Sequence, residues 1–211
     1  LRLLVNAGPT HEAIDPVRYI ANHSTGKMGY AIAAAAARRG AQVTLVSGPT
    51  SLPTPAGVRR IDVESAAQMH DAMLAAFDDA DVAICSAAVA DYTPAAPADH
   101  KLKKSREHLD AIELTETADI LAALCGCKGT RVVVGFAAET DDLLAHAREK
   151  LDRKRADLIV ANDVSRPEST FGADTNRVAL VSAEGVEQLE TMPLPAVADA
   201  ILDAVLQRVV R

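Results

Sequence analysis

Residues 22–29 read Asn22-His23-Ser24-Thr25-Gly26-Lys27-Met28-Gly29 and lie between an apolar run, Leu1 to Ala7, and an alanine-rich run, Tyr30 to Arg39. The first run has the composition of a buried strand and the second that of a helix. A turn rich in Ser, Thr and Gly at this junction directs backbone N–H groups and a helix N-terminus at the space above the end of the strand. A phosphate is well suited to bind in that space. The connection from Gly8 to Gly29 is also long for a strand-to-helix loop, and extra loop length at this edge of a parallel sheet favours a binding site.

Apolar runs and helical patterns alternate along the whole chain. The apolar runs are Leu3–Ala7, Gln42–Ser47, Arg60–Val63, Val82–Ala87, Val132–Ala137 and Leu158–Ala161. The helical patterns are Tyr30–Arg39, Ser65–Phe77, Asp119–Leu124, Asp142–Arg155 and Pro195–Val209. This alternation predicts an α/β fold, a Rossmann-like parallel sheet flanked by helices, and 211 residues predict a single domain over residues 1–211.

Two segments depart from the alternation. Residues 92–110 hold Pro94, Pro97 and a basic cluster, which predicts a mobile loop over the sheet edge. Residues 176–182 and 187–191 flank Ala183-Glu184-Gly185, which is a β-hairpin signal late in an otherwise α/β chain.

Composition excludes several classes of function. The net charge of −7 gives no electrostatic support to general binding of nucleic acid or anionic membranes, and the chain shows no membrane-spanning or signal-peptide pattern. Cys85 reads as a buried thiol, while Cys125 and Cys127 have no second Cys or His pair that would complete a metal site. Without a disulfide framework we expect a cytoplasmic protein, and a chain that starts on a strand without Met indicates a domain of a longer protein.

The nicotinamide-dinucleotide interpretation is weak. The first strand is followed by Gly8-Pro9-Thr10 instead of the G-x-G-x-x-G fingerprint, and Ser47-Gly48 stands where an acidic residue would bind the ribose. None of the tyrosines is followed by Lys in the Tyr-x-x-x-Lys spacing of short-chain dehydrogenases.

Two predicted strands end in residues suited to a ligand. Val82–Ala87 runs into Ala88-Val89-Ala90-Asp91-Tyr92, where small side chains let a ligand lie against the backbone and Asp91 can accept a hydrogen bond or bind a cation. A helix N-cap is the alternative for Asp91, but Thr93-Pro94 does not open a convincing helix. Leu158–Ala161 runs into Asn162-Asp163-Val164, which also fits an ordinary turn.

Three basic features each have two interpretations. Lys27 follows Gly26 as in a P-loop, but Met28 replaces the Ser or Thr that would bind Mg²⁺, so Lys27 is either a phosphate neighbour or a solvated lysine. The cluster Lys101-Leu102-Lys103-Lys104-Ser105-Arg106 is either a solvated surface or the source of one anion-binding lysine. Lys150 and Lys154, one helical turn apart, either pair with surface carboxylates or face a polyphosphate.

Together these motifs resemble the phosphopantothenoylcysteine synthetase family, the phosphopantothenate–cysteine ligases, which in bacteria usually form the C-terminal half of a bifunctional coenzyme A biosynthesis protein. The resemblance is carried, in chain order, by Ala7-Gly8-Pro9-Thr10, Asp15-Pro16-Val17-Arg18-Tyr19-Ile20, Asn22 to Gly29, Leu45-Val46-Ser47-Gly48-Pro49, Ala87 to Tyr92, Lys101-Leu102-Lys103-Lys104, Val134-Gly135-Phe136-Ala137-Ala138-Glu139-Thr140 and Ala161-Asn162-Asp163-Val164.

The resemblance implies a reaction. The carboxylate of 4′-phosphopantothenate attacks the α-phosphorus of CTP, which gives an acyl-cytidylate and pyrophosphate, and the amine of L-cysteine then displaces CMP. Mg²⁺ is expected on the phosphates, with its protein ligands unidentified, and no flavin or NAD is expected in this domain. The partners implied are a second copy of the chain, dimerising through the hairpin near residues 176–191, and a fused N-terminal flavin-dependent decarboxylase domain.

The resemblance also implies roles for residues. Asn22 would contact the acyl carbonyl and Lys101 would neutralise phosphate charge, which makes these two the predicted catalytic residues. The predicted substrate-binding residues are Arg18 (reaching from the neighbouring subunit), Asn22, Ala87, Ala88 and Asp91. The predicted nucleotide-binding residues are Gly8, Ser24, Gly26, Cys85, Ser86, Ala87, Asp91, Lys101, Ala118, Asp119, Ile120, Phe136, Lys150 and Lys154. The family more often reads Asn-Pro where this chain has Thr117-Ala118.

Overall fold

The computed structural model of the chain describes residues 1–103, 110–139, 142–163 and 172–209. Its strands are β1 (Arg2–Ala7), β2 (Glu12–Ala13), β3 (Tyr19–Ile20), β4 (Gln42–Ser47), β5 (Val58–Asp62), β6 (Val82–Cys85), β7 (Tyr92–Pro94), β8 (Leu114–Glu116), β9 (Val132–Glu139), β10 (Leu158–Asp163), β11 (Thr175–Asn176), β12 (Val178–Ser182), β13 (Gly185–Gln188) and β14 (Met192–Pro193). Its helices are α1 (Lys27–Arg38), α2 (Ala66–Phe77), α3 (Ile120–Gly126), α4 (Leu143–Lys154) and α5 (Leu194–Val209).

A sheet of eight strands in the order β13-β12-β10-β9-β6-β1-β4-β5 forms the centre of the molecule. The six strands from β10 to β5 are parallel, and they correspond to the six apolar runs that the sequence predicts. β12 and β13 join this sheet antiparallel, with Ser182 opposite Gly185 at the turn. The predicted fold class and the late hairpin are therefore confirmed.

Helices cover both faces of the sheet, and this explains why the inner parallel strands are mostly apolar, whereas the edge strand β5 carries Arg59 and Arg60. On one face, Leu3 and Val5 of β1 belong to a core that includes Ile32 of α1 and Ile201 of α5. On the other face, Leu4 belongs to a core formed with α2, α3 and α4. Alternate residues of one strand thus pack against different helical layers.

The strand order changes direction at β1. The chain leaves β1 through α1 to reach β4 on one side, and later crosses back to β6 on the other side of β1. The carboxyl ends of β1 and β6 therefore bound the crevice where ligands bind in open parallel sheets.

Within the described ranges, three two-stranded antiparallel sheets add to this frame: β2 with β3, β7 with β8, and β11 with β14. The segment predicted as a loop from residue 92 to residue 110 instead begins with the β7 ladder, in which Tyr92 lies opposite Glu116. The amide of Ala98 also donates to the carbonyl oxygen of Ile14 at 2.9 Å. The remainder of the predicted loop, residues 104–109, lies outside the described residues. None of the helices within the described ranges is long and apolar enough to cross a lipid bilayer.

Candidate functional site

A cleft of about 810 Å³ opens at the carboxyl ends of the parallel strands, over the point where the strand order changes direction. Most of the residues that the sequence predicts for the site line it. They are Asn22, Ser24, Gly26, Cys85, Ser86, Ala87, Ala88, Asp91, Ala118, Asp119, Ile120, Phe136 and Lys150.

The loop before α1 forms one wall of this cleft. Helix α1 begins at Lys27, three residues earlier than the sequence predicts, because Gly26 serves as its N-cap with φ of 78°. A Cβ atom on Gly26 would lie 3.2 Å from the amide nitrogen of Gly8, and one on Gly8 would lie 3.2 Å from the carbonyl oxygen of Gly48. Gly8 does not line the cleft, so its described contacts indicate that it supports the loop from behind. The first N–H groups of α1 remain outside the helical hydrogen-bond pattern at this wall.

The turn after β6 forms the floor and is held by buried side chains. The amide of Ala87 donates to Oδ1 of Asn6 at 2.8 Å, and the amide of Ala90 donates to Oγ1 of Thr10 at 3.0 Å. Thr117 donates its hydroxyl to the carbonyl oxygen of Ala90 at 2.6 Å. The N–H of Ala87, a predicted substrate- and nucleotide-binding residue, is therefore engaged by the protein itself.

The side chain of Asn22 contacts the backbone of the same turn. Its Nδ2 donates to the carbonyl oxygen of Val89 at 3.0 Å and lies 3.4 Å from that of Ala88. Because carbonyl oxygens only accept, these contacts orient the amide with its NH₂ group towards the turn. The hydrogen nearer Ala88 is weakly engaged and can donate to a ligand.

Two lysines of α4 differ in their placement. Lys150 lines the cleft, and its Nζ donates to the carbonyl oxygen of Phe136 at 2.7 Å. Lys154 is outside the cleft lining and forms an ion pair with Asp119, which also caps α3 by accepting from the amide of Ala122. Burial opposes ionisation of Asp119, but these hydrogen bonds outweigh it and hold the pKa of its carboxyl below the ordinary value.

Arg18 and Lys101 lie away from the cleft. Arg18 pairs with the buried carboxylate of Asp15 and donates to the carbonyl oxygen of Leu102 at 3.1 Å. The hydrogen bonds from Arg18, aided by the amides of Val17 and Leu102, hold the pKa of Asp15 well below its usual range. Lys101 precedes Leu102 and is exposed. Arg18 is therefore bonded to the residue that follows Lys101, and neither Arg18 nor Lys101 lines the cleft of this single chain. Arg18 borders a second recess beside the β2–β3 hairpin.

The three cysteines are free thiols in different surroundings. Cys85 lines the cleft, where burial raises the pKa of its thiol to about 12. Cys125 is buried in the core, and burial raises its pKa to about 11, while Cys127 is exposed. Cys85 is therefore a neutral thiol at physiological pH and a poor nucleophile.

Carboxylates of the cleft are few. Among the residues described, no three His, Cys, Asp or Glu side chains come together as a preformed metal site. Asp91 and Glu116 line the cleft and offer the hard oxygen atoms that Mg²⁺ prefers, alongside ligands from a bound substrate.

Residues 1–209 match the family model of the DNA/pantothenate metabolism flavoprotein C-terminal domain. The chain belongs to this family. The bifunctional coenzyme A biosynthesis protein CoaBC of Vibrio cholerae is 49% identical over 203 residues, which cover 95% of this chain and 51% of that protein. The chain thus spans about half the length of the curated relatives that it matches. The resemblance to the C-terminal half of a coenzyme A biosynthesis protein is confirmed.

Solved structures share the fold of this chain. The C-terminal domain of a CoaBC protein is 42% identical, with a TM-score of 0.82 over 97% of this chain and 93% of that chain. A mutant of Cab2 in complex with phosphopantothenate-cysteine has a TM-score of 0.78 at 18% identity, over 99% of this chain and 86% of that chain. The second similarity concerns the fold alone.

Sequence reasoning missed the residues that hold the floor of the cleft. Asn6, near the end of β1, is 1% exposed, and Thr10, three residues after β1, is fully buried. A polar residue buried there must find a partner, so their presence was the available signal. Their partners could not be deduced, because they lie about eighty positions away along the chain, on the turn after β6.

Proposed function

We propose that this domain is a phosphopantothenate–cysteine ligase of coenzyme A biosynthesis. It would join 4′-phosphopantothenate to L-cysteine with activation by CTP, through an acyl-cytidylate intermediate, and release pyrophosphate and CMP. The observation that carries this proposal is the cleft at the point where the strand order changes direction. Its lining contains the 13 predicted residues named in the description of the cleft. The names of the CoaBC relatives support the same pathway.

In the first step, the carboxylate of phosphopantothenate would attack the α-phosphorus and pyrophosphate would leave. The loop before α1, with the first N–H groups of the helix, is suited to hold a phosphate group. Lys150 brings a cation to the opposite side of the cleft. Magnesium, when bound, supplies charge neutralisation on the triphosphate, and Asp91 would contribute a carboxylate ligand.

In the second step, the amine of cysteine would attack the acyl carbon and CMP would leave. Asn22 is placed to hold the acyl group, since its amide can donate a hydrogen bond without changing protonation state. No protein nucleophile is needed, and Cys85, which lines the cleft, stays protonated. The chemistry would rest on positioning and on charge neutralisation.

Arg18 and Lys101 enter the proposal through assembly. We propose that the domain acts as a homodimer in which Arg18 of one subunit reaches the cleft of the other, and that Lys101 moves into the cleft with its segment. The absence of both residues from the cleft lining of the single chain fits this arrangement. The hairpin β12–β13 is the proposed dimerisation element, and its outer strand β13 forms an edge of the main sheet. A cytoplasmic location and a fused flavin-dependent decarboxylase belong to the same proposal.

The test is pyrophosphate release with 4′-phosphopantothenate and Mg²⁺, comparing CTP with ATP, each with and without cysteine. We expect release that requires phosphopantothenate and prefers CTP, and amide product that appears only with cysteine. Removal of Mg²⁺ with a chelator should abolish release. A folded protein that binds CTP but releases no pyrophosphate would contradict the proposal.

A further inference from the structure

One wall of the cleft is formed by the segment Gly172–Asn176, which we call the wall segment. Gly172, Thr175 and Asn176 all line the cleft. The segment is attached on one side to the sheet periphery, where Thr175 lies opposite Pro193 and the amide of Leu194 donates to the carbonyl oxygen of Asp174 at 3.1 Å.

On its other side, the wall segment is attached to the loop before α1 by Lys27. The Nζ atom of Lys27 donates to the carbonyl oxygen of Gly172 at 2.8 Å and to Oδ1 of Asp174 at 2.7 Å. A Cβ atom on Gly172 would lie 3.4 Å from the methyl group of Thr25, so the backbone of the wall segment already approaches the loop closely.

The two contacts direct the ammonium group of Lys27 towards the wall segment. A lysine ammonium has three N–H donors, and two of them serve the wall segment. The carboxylate of Asp174 also neutralises the positive charge. A phosphate in the cleft would have to compete for Lys27 with both partners.

We propose that Lys27 is a positioning residue that joins the wall segment to the loop before α1 and so sets the width of the cleft between these two walls. In this role it acts through Gly172 and Asp174, and it does not bind the phosphate. The kinetic part of the inference rests on the proposed ligase function, whereas its structural part does not.

The size of the effect follows from exposure. The side chain of Lys27 is 34% exposed and that of Asp174 is 89% exposed, so their ion pair is weak. An interaction of this kind changes an equilibrium by about five-fold at most. The wall segment would contact the substrate in the bound state and in the transition state alike. Weakening its attachment should therefore raise KM and leave kcat little changed.

A double-mutant cycle tests this inference. Lys27→Met and Asp174→Asn should each raise the KM for CTP about three- to five-fold, and the double variant should be no worse than either single variant. Asp199→Asn is the matched control, since Asp199 is an exposed carboxylate that pairs with Arg38 at the α1–α5 contact. A large loss in Lys27→Met with no change in Asp174→Asn would show that Lys27 binds the phosphate, and would overturn the inference.

Hydrogen exchange supplies a readout that needs no enzymatic activity. Amides of residues 172–176 should exchange faster in both Lys27→Met and Asp174→Asn than in the wild type or in Asp199→Asn. Unchanged exchange in the two variants would refute the joining role even if the protein proves to be an active ligase. Faster exchange in a protein without ligase activity would keep the structural role and reject the proposed function.

Discussion

At the residue scale, uncharged side chains hold the turn that forms the floor of the cleft. Asn6 and Thr10 hold the turn after β6 from below, and Asn22 contacts it from the mouth of the cleft. Such groups keep their hydrogen-bonding character at every physiological pH. The charged side chains instead engage other protein groups, as Lys154 does with Asp119.

Replacing Asn22 with aspartate should separate the two steps of the proposed reaction. Asn22→Asp removes both N–H donors and places negative charge beside the carbonyl oxygens of Ala88 and Val89. We expect pyrophosphate release to remain detectable, while amide formation falls about 100-fold or more, as when a donor to a reacting oxygen is lost. Rapid-quench measurement of pyrophosphate and of amide product would check this. Wild-type turnover in the variant would remove Asn22 from the mechanism.

Replacing Thr10 should measure how much its hydrogen bond to the turn after β6 contributes to the stability of the fold. Thr10→Val is nearly isosteric and leaves the N–H of buried Ala90 without its acceptor. A buried donor left unpaired costs roughly 1–3 kcal/mol, so the free energy of unfolding in urea should fall by about that amount. Thr10→Ser keeps the hydroxyl and is the control, with a smaller loss expected. Equal stability of the valine variant and the wild type would show that the hydrogen bond contributes nothing.

At the scale of elements, sequence patterns predict the long elements and miss the short ones. All six apolar runs correspond to parallel strands, and helices pack on both faces of the sheet that these strands form. Strands of two or three residues, such as β2 and β7, are too short to show a period and were not predicted. The start of α1 was placed at Tyr30, because Gly26 and Gly29 read as loop residues although Gly29 lies within the first helical turn.

Much of the cleft was predictable because strand ends meet at one edge of a parallel sheet. Residues just after β6 and within the second half of β9, such as Ala87 and Phe136, could be assigned to the cleft from topology and family resemblance. Contacts that depend on side-chain reach across the chain were not predictable. Neither the joining of Lys27 to Asp174 nor the pairing of Lys154 with Asp119 has a signature in local sequence.

Two helical glycines offer a matched test of how α1 packs on β1. A Cβ atom on Gly29 would lie 2.5 Å from Cβ of Ala7, whereas one on Gly126 of α3 would meet nothing within 4 Å. Gly29→Ala should therefore lower the free energy of unfolding by about 1–3 kcal/mol through overpacking. Gly126→Ala should leave it unchanged or raise it by up to about 1 kcal/mol, because alanine favours the helix. Urea denaturation of both variants decides the comparison, and equal midpoints would contradict the packing argument.

At the scale of the whole molecule, two apolar cores on opposite faces of the sheet stabilise the fold, and two thiols take part in the core opposite α1. Cys125 is a buried member of that core, and Cys85 packs against it. Burial in this environment disfavours the thiolate form of both residues.

Stability should therefore decrease in alkali. Burial raises the pKa of Cys85 to about 12 and that of Cys125 to about 11, whereas an unperturbed thiol titrates near 9.0. Above pH 9 the unfolded chain loses protons that the folded chain retains, so ionisation favours unfolding and the free energy of unfolding falls as pH rises.

Denaturation curves between pH 8 and pH 11 would measure this decrease. The decrease should be shallower in a Cys85→Ala, Cys125→Ala double variant, while Cys127→Ser, at an exposed thiol, should follow the wild type. Identical pH slopes in all three proteins would show that the buried thiols do not contribute.

The lining of the cleft runs from Asn6 to Leu194 along the chain, and this has a consequence for biosynthesis. A nascent polypeptide that has emerged from the ribosome only as far as the turn after β6 has that turn and the loop before α1, but not the walls supplied by β9, α4 and the wall segment. Small molecules that bind the cleft can therefore stabilise only the finished domain. Until the wall segment has been synthesised, ligand binding in the cleft cannot contribute to the stability of the chain.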